Sequence, residues 1–256
     1  MRTARPFQRA PTGWLLVGLL AVSWEVAVRS GALQADAWPA LSVVAAAFFG
    51  PAAADGLWRE MGDSLYAMAR GFAVGAALAI VAGVMLGASR PLFKLLEPTL
   101  ELLRVTPLPA LIPPALLALG LGGGMKVAIV ALATFWPVLL NTLHGVRGVE
   151  QSLVETAHTF RVPRWRFALR VMLPTALPLV ASGLRIALAA ALVTTVVTEM
   201  IAGGTGIGVF VMTMQQAARM PDVYAALILL SGVGYVLNRG ILALEQWLLP
   251  WYRRTD

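Results

Sequence analysis

Apolar residues fall along this chain in long blocks, not with the 3.6-residue period of a helix wet on one side. The first block covers 14–28. A second covers 65–88 and holds eighteen uncharged residues in succession from Gly71. A third runs from an amphipathic start after Pro91 to Leu121, and others cover 125–143, 174–201 and 223–242. A bilayer asks for ~20 apolar residues per helical span. The pattern therefore predicts an all-α, polytopic membrane protein of about six transmembrane helices. Segment 41–49, bracketed by Pro39 and Pro51, is apolar but too short to span and reads as an interfacial helix. Pro107, Pro109, Pro113 and Pro114 are expected to bend the third span, because each removes a backbone bond that neighbours must replace. Gly71/Gly75 and Gly83/Gly87 recur at four-residue spacing and mark the second span for close approach by another helix.

Composition supports the blocks: 59% of residues are hydrophobic, 13% are charged and the mean hydropathy is +0.76. Net charge is +7. In a membrane chain such an excess reports orientation, so it argues against nucleic acid as a partner. With the N-terminus inside, twelve basic residues face the cytoplasm: Arg2, Arg5, Arg9, Arg90, Lys94, Arg147, Arg161, Arg164, Arg166, Arg170, Arg253 and Arg254. Only Arg29, Arg59, Lys126 and Arg219 fall outside, while Arg70, Arg104, Arg185 and Arg239 lie in or beside spans. This asymmetry predicts an N-in/C-in chain, with 1–12 a cytoplasmic tail and 13–256 the transmembrane domain. Arginines ahead of the first block, with 35–37 as a small-residue site, also fit a signal peptide. Glu25 and the length of the run favour a retained span. Trp247, Trp251 and Tyr252 form an interfacial aromatic cluster. Cysteine is absent, which excludes disulfide and thiolate chemistry. His144 and His158 lack metal spacing, so no metal is expected.

The longest inside polar stretch is 145–173. Glu150 to Phe160 suits one short helix, Pro163 breaks it, and Arg164 to Met172 suits a second. A helical pair outside the bilayer offers a docking surface for a soluble partner. The stretch resembles the EAA signature of ABC importer permeases: Glu155 and Ala157 match, Thr156 replaces the first Ala, and 171–174 match the Ile-x-Leu-Pro end in register. Arg161 stands where the family carries Gly, which adopts positive φ at lower cost. The segments 106–113, 141–147, 183–187 and 198–200 with the glycines that follow resemble the nitrate/sulfonate/taurine branch.

That resemblance implies the type I ABC importer permease architecture. It implies a second permease copy forming a homodimer, two ATP-binding subunits, and a periplasmic or lipoprotein substrate-binding protein. It also implies that Glu155, Ala157, Arg161, Val162, Pro163, Arg164 and Pro174 belong to the ATPase-coupling element. Cargo would be a small anion such as a sulfonate, taurine or nitrate, with a vitamin precursor as the alternative. No Walker A pattern is present: 122–127 lacks the Gly before Lys126 and the Ser/Thr after it. ATP and Mg are thus expected on a partner, with no cofactor and no catalytic residue in this chain. From a different class, a secondary transporter or channel would lack the need for such a loop and commonly shows repeats, none of which is visible here.

Two charges in the fifth block stand out. Arg185 lies about 16 Å beyond Pro174, and Glu199 about 21 Å further on, so they are too distant to pair within one helix. Their directions differ by about 40°, placing them on one face with Ala189, Leu192 and Val196. One reading has Arg185, Leu192, Val196 and Glu199 line the translocation path. The other has Arg185 tie helices together through backbone carbonyls or Glu101, with Arg104–Glu101 a local pair.

Overall fold

The computed structural model describes residues 12–250 apart from Ala35; the side chains of Thr12, Trp14, Pro51 and Arg164 also lie outside the description. The basic tail with Arg2, Arg5 and Arg9, position 35 of the small-residue site, Trp251, Tyr252, Arg253 and Arg254 therefore lie outside the described residues. Among the described residues there are helices and no strands. The helices are α1 Thr12–Arg29, α2 Leu41–Phe49, α3 Pro51–Ala54, α4 Leu57–Ala88, α5 Arg90–Arg104, α6 Leu108–Leu119 and α7 Gly123–Arg147. They continue with α8 Gln151–Thr159, α9 Arg164–Phe167, α10 Leu173–Ala202, α11 Ile207–Gln216 and α12 Met220–Leu248.

Four of these segments are long and apolar enough to cross a membrane: α4, α7, the continuous stretch Trp165–Ala202, and α12. A fifth arises if α5 and α6 count as one broken span. By length and composition, four or five of the about six expected spans qualify among the described residues. The remaining candidate, α1, has 18 residues, near the lower limit for a span, and directly follows the undescribed tail. It exposes Leu15, Leu16, Val17, Leu19 and Leu20. The short helix expected over 41–49 is α2, with the same bounds.

The third span is bent, as the prolines led one to expect. It is two helices meeting at 94°. The break falls at 105–107, where Pro107 removes a donor and constrains the residue before it. Pro109 sits in the first turn of α6, where a missing N–H costs nothing. Pro113 and Pro114 are held inside α6.

The chain divides into two compact units, 12–58 with 210–229 and 59–209 with 230–250. In the first, Trp24 packs edge-on against Trp38 and Tyr224, at centroid distances of 5.8 and 5.5 Å. Its indole N–H donates to the Pro39 carbonyl at 3.2 Å. Glu25 accepts from Arg29 and from Ser42, each at 2.7 Å, which offsets the acid predicted within the first span. Arg219 pairs with Asp55 and Asp222.

The second unit is built around α7. A Cβ on Gly71, Gly75, Gly83 or Gly87 would lie 2.3–2.6 Å from Val130, Ala131, Thr142 or Val146 respectively. Both series ascend together, so α4 and α7 run parallel. The α5–α6 pair between them must return the chain across the layer. On its other side α7 meets α10 in the opposite direction: Gly145 faces Ala176, and Gly183 faces Asn141 and Pro137. Ala79, Leu86, Val138, Leu139, Leu143 and Ala187 close a buried core among the three helices. Gly234 touches Leu192 and Glu245 pairs with Arg185, so α12 lies antiparallel to α10. Loop 148–163 and the end of α12 consequently share one end of this unit.

Candidate functional site

Helix α7 ends at Arg147, whose guanidinium lies 3.6 Å from the Phe93 ring centroid and donates to the Leu86 carbonyl at 3.4 Å. Val146, Met172 and Ala176 pack with Val84, Val149, Phe167 and Ala168. These contacts fix the root of the loop. Its outer part is bare: α8 buries no residue, and Leu153, Val154, Phe160, Val162, Trp165 and Leu169 are exposed. Glu155 is exposed and accepts from Gln151 at 3.3 Å, while Ala157 is partly covered. A rooted loop with an apolar outer surface is what the docking of another protein requires.

The turn after α8 closes through Phe160 N–H to Thr156 O at 3.0 Å and Val162 N–H to Ala157 O at 2.9 Å. Arg161 occupies the left-handed position, at φ +50°. The departure from Gly at this site therefore leaves the turn's shape intact at a cost of roughly 1–2 kcal/mol. Arg161→Gly is expected to recover about 0.5–1 kcal/mol after the extra chain entropy of Gly. Slower hydrogen exchange across α8 and the turn would show it. A rate equal to or faster than that of the parent would refute the assignment of strain to this residue.

Pro163 immediately precedes the next helix, its carbonyl accepting from Phe167 N–H at 3.1 Å, but that helix does not stop before the expected start of the span. The chain continues from α9 through a π-helical segment, Ala168–Met172, directly into α10. The expected separate second loop helix is thus the extension of the span at its N-terminal end. The physical reason is Pro174. In a regular helix its ring would collide with the Arg170 carbonyl, and one wider turn absorbs the misfit without breaking the helix. The hydroxyl of Thr175 donates to the Val171 carbonyl at 2.7 Å. Arg164 begins α9, and its side chain lies outside the description.

The structure separates the charges of α10 into different environments. Arg185 is partly exposed and forms an ion pair with Glu245 of α12 at 3.3 Å, with Ser182 a further contact at 3.4 Å. Glu101 instead pairs with Arg104 at 2.6 Å. Leu192 and Val196 are partly covered, and Leu192 packs in the cluster formed by Met68, Val130 and Ala191.

Glu199 is fully buried within this unit. Its carboxylate accepts from Ser64 Oγ at 2.8 Å, Gly208 N–H at 3.0 Å and Lys126 Nζ at 3.3 Å. Ser64 Oγ in turn accepts from Ile207 N–H at 2.8 Å, and Lys126 also donates to the Thr205 carbonyl. Glu60 accepts from Gly206 N–H. Gly206 has φ +117°, and a Cβ there would lie 2.1 Å from the Glu199 carboxylate. The knot pins loop 203–206 to α4, α7 and α10. Sequence reasoning assigned Lys126 to an outer loop and did not mark Ser64 or Glu60. Charges at the same end of three spans were the available signal. Helix α11 begins within the glycine-rich stretch 203–208.

Among the described residues no group of three His, Asp or Glu is placed to hold a metal ion. A polytopic all-α membrane protein with a rooted, exposed loop between two spans is the class these observations define. Residues 75–254 match the family of binding-protein-dependent transport system inner membrane components, and the chain belongs to it. It is 33% identical to a putative aliphatic sulfonates transport permease of Escherichia coli, over 93% of this chain and 90% of that one. It is 31% identical to a bicarbonate transport system permease of Synechococcus elongatus, over 76% and 70% of the two chains. The fold is similar to a chain of the MetNI methionine ABC transporter in an inward-facing conformation, with a TM-score of 0.66 at 16% identity. That match covers 74% of this chain and 94% of the other. The protein is thus an ABC importer permease.

Proposed function

We propose that this chain forms the membrane path of an ATP-driven importer for a small anion, a sulfonate, taurine, nitrate or bicarbonate, in a bacterial cytoplasmic membrane. ATP hydrolysis takes place on separate ATP-binding subunits that dock on 145–173, and a binding protein delivers cargo to the opposite face. Two permease copies pair. The observation that carries the reading is the loop itself: a fixed root at Arg147 and Phe167 beneath an uncovered apolar surface. The names of the relatives support the anion class.

In this mechanism closure of the ATPase pair pushes on α8 and the Arg161–Pro163 turn. Because α9 and α10 are continuous through the π segment, the push reaches the span without an intervening hinge loop. Glu155, Ala157, Val162 and Pro163 form the contact surface, Arg161 and Arg164 add charge, and Pro174 sets the wider turn. Glu155→Arg is expected to reduce coupled ATPase activity at least tenfold while leaving the permease inserted in the membrane. Full coupled uptake in that variant, and in one lacking 156–161, would refute the docking assignment.

The topology has its own test. The chain has no cysteine, so single cysteines report cleanly. Those introduced at Gly148 and Thr255 should resist an impermeant reagent in intact cells, whereas one at Gly56 should react. The reverse labelling would overturn the N-in/C-in arrangement.

A further inference from the structure

Helix α12 is the least covered of the spans, and its exposed surface is of two kinds. Val236, Leu244 and Trp247 are large, apolar and exposed on one side. Tyr235, Arg239 and Gln246 project within about 40° of one another on a second side, bordered by Asn238. All four are exposed. Gly234, Leu237 and Glu245 face the unit's own helices. Arg239 points about 120–160° away from those three.

Its depth follows from contacts. Gly234 touches Leu192 and Glu245 pairs with Arg185, so the antiparallel packing sets Arg239 level with about 188–189, within half a turn of Ala187. Ala187 shares a buried cluster with Ala79 and Leu139. Ala79 is the middle of the charge-free run 71–88 of α4. Arg239 therefore lies near the bilayer centre, about 12 Å below the interfacial Trp247. That is deeper than an arginine side chain reaches by bending toward water.

A centrally placed arginine does not persist against lipid without a partner or water. Arg104 and Arg185 each have a carboxylate partner, Glu101 and Glu245. Among the described residues Arg239 has none, its guanidinium lying 5.9 Å from the Tyr235 ring; Arg70, just ahead of the charge-free run of α4, also lacks one and lies 5.4 Å from the Tyr66 ring.

We infer that the Tyr235–Arg239–Gln246 face of α12 borders a water-filled path and that Arg239 is the uncompensated positive charge that recognises the anion within it. Arg185, neutralised by Glu245, holds α10 to α12 and contributes no net charge to the path. The inference rests on the proposed importer function and deepens it by naming the specificity residue.

The test uses the full chain in membrane vesicles with its ATP-binding subunit, carrying Gln246→Cys or, as a lipid-side control, Leu244→Cys. The probes are two thiol reagents of equal size and opposite charge, an anionic and a cationic methanethiosulfonate. The Gln246→Cys protein should react with the anionic reagent at least tenfold faster than with the cationic one. Adding Arg239→Gln should reduce that ratio to near one, and adding Arg239→Lys instead should restore most of it. The Leu244→Cys protein should react with neither. In uptake assays Arg239→Gln should lower kcat/KM for the anion at least tenfold without changing the amount of assembled complex.

An unreactive thiol in the Gln246→Cys protein would mean that this face is covered by protein, such as a second copy, and would overturn the inference. So would a charge preference unaffected by Arg239→Gln. Failure of the importer reading shows elsewhere, as wild-type vesicles that take up no anion on addition of ATP. The reagent ratio does not depend on transport, so the two failures are distinguishable.

Discussion

Glu199→Ala is expected to destabilise the protein by about 3–5 kcal/mol, the range for a buried ion pair stripped of one partner. The carboxylate is the common acceptor for Ser64, Lys126 and the Gly208 N–H. Removing it leaves Lys126 buried with only the Thr205 carbonyl to hold its ammonium. Ser64 retains its bond from Ile207 but loses a place for its own proton. Glu199→Gln should cost less, since it keeps an acceptor for Ser64 and Gly208 while still leaving Lys126 uncompensated. Combining Glu199→Gln with Lys126→Met should then cost less than the two changes summed, because the second removes the stranded charge. Thermal aggregation in detergent, followed by size-exclusion fluorescence, gives all four values. A Glu199→Ala protein with the parent's midpoint would mean the buried pair carries no stability.

The knot also explains a division between what was legible in the chain and what was not. Spans announce themselves through apolar run length, a one-dimensional property, so α4, α7, α10 and α12 were each anticipated and were misjudged mainly at their ends. Those ends extend as helix well past the apolar run: α4 begins at Leu57, not near Leu65, and α12 continues to Leu248. Helical hydrogen bonds continue wherever the backbone allows, and the hydropathy pattern reports only the part immersed in lipid. The bend at Pro107 was legible as a bend but not as a 94° corner, because its angle is set by what α6 packs on. Met125 and Ile129 of α7, packed against Ile112 of α6, form that support.

Pairings across the fold were the illegible part. Arg185 stood out as a charge within a span, yet its partner Glu245 lies on a different helix and carries no local mark. Lys126 follows three glycines and resembled a loop residue until Glu199 and Thr205 were seen around it. Arg161 is the opposite case. Sequence identified the position where Gly is expected, and the backbone there does hold a positive φ. The turn is determined by the bonds of Phe160 and Val162 back into α8, strongly enough to hold an arginine in a conformation it disfavours.

Gly75→Val should be the most damaging single change within the helical layer, at about 3 kcal/mol or more. A Cβ at Gly75 would sit 2.3 Å from the Ala131 carbonyl oxygen and 2.9 Å from its carbonyl carbon and Cα. These are backbone atoms of a helix and cannot rotate away, so α4 and α7 must separate along their whole contact. Ala79, Val138 and Leu139, now fully buried, would lose packing together. Even Gly75→Ala should be destabilising by about 1–3 kcal/mol, although alanine is favoured over glycine in a helix by about 1 kcal/mol. Gly62 supplies the control within the same helix. Nothing lies within 4 Å of a Cβ there, so Gly62→Ala should gain most of that propensity. The two alanine variants differ only in what faces them, and opposite shifts in the detergent melting midpoint are expected. Equal shifts would show that α4 and α7 are not in close contact at Gly75.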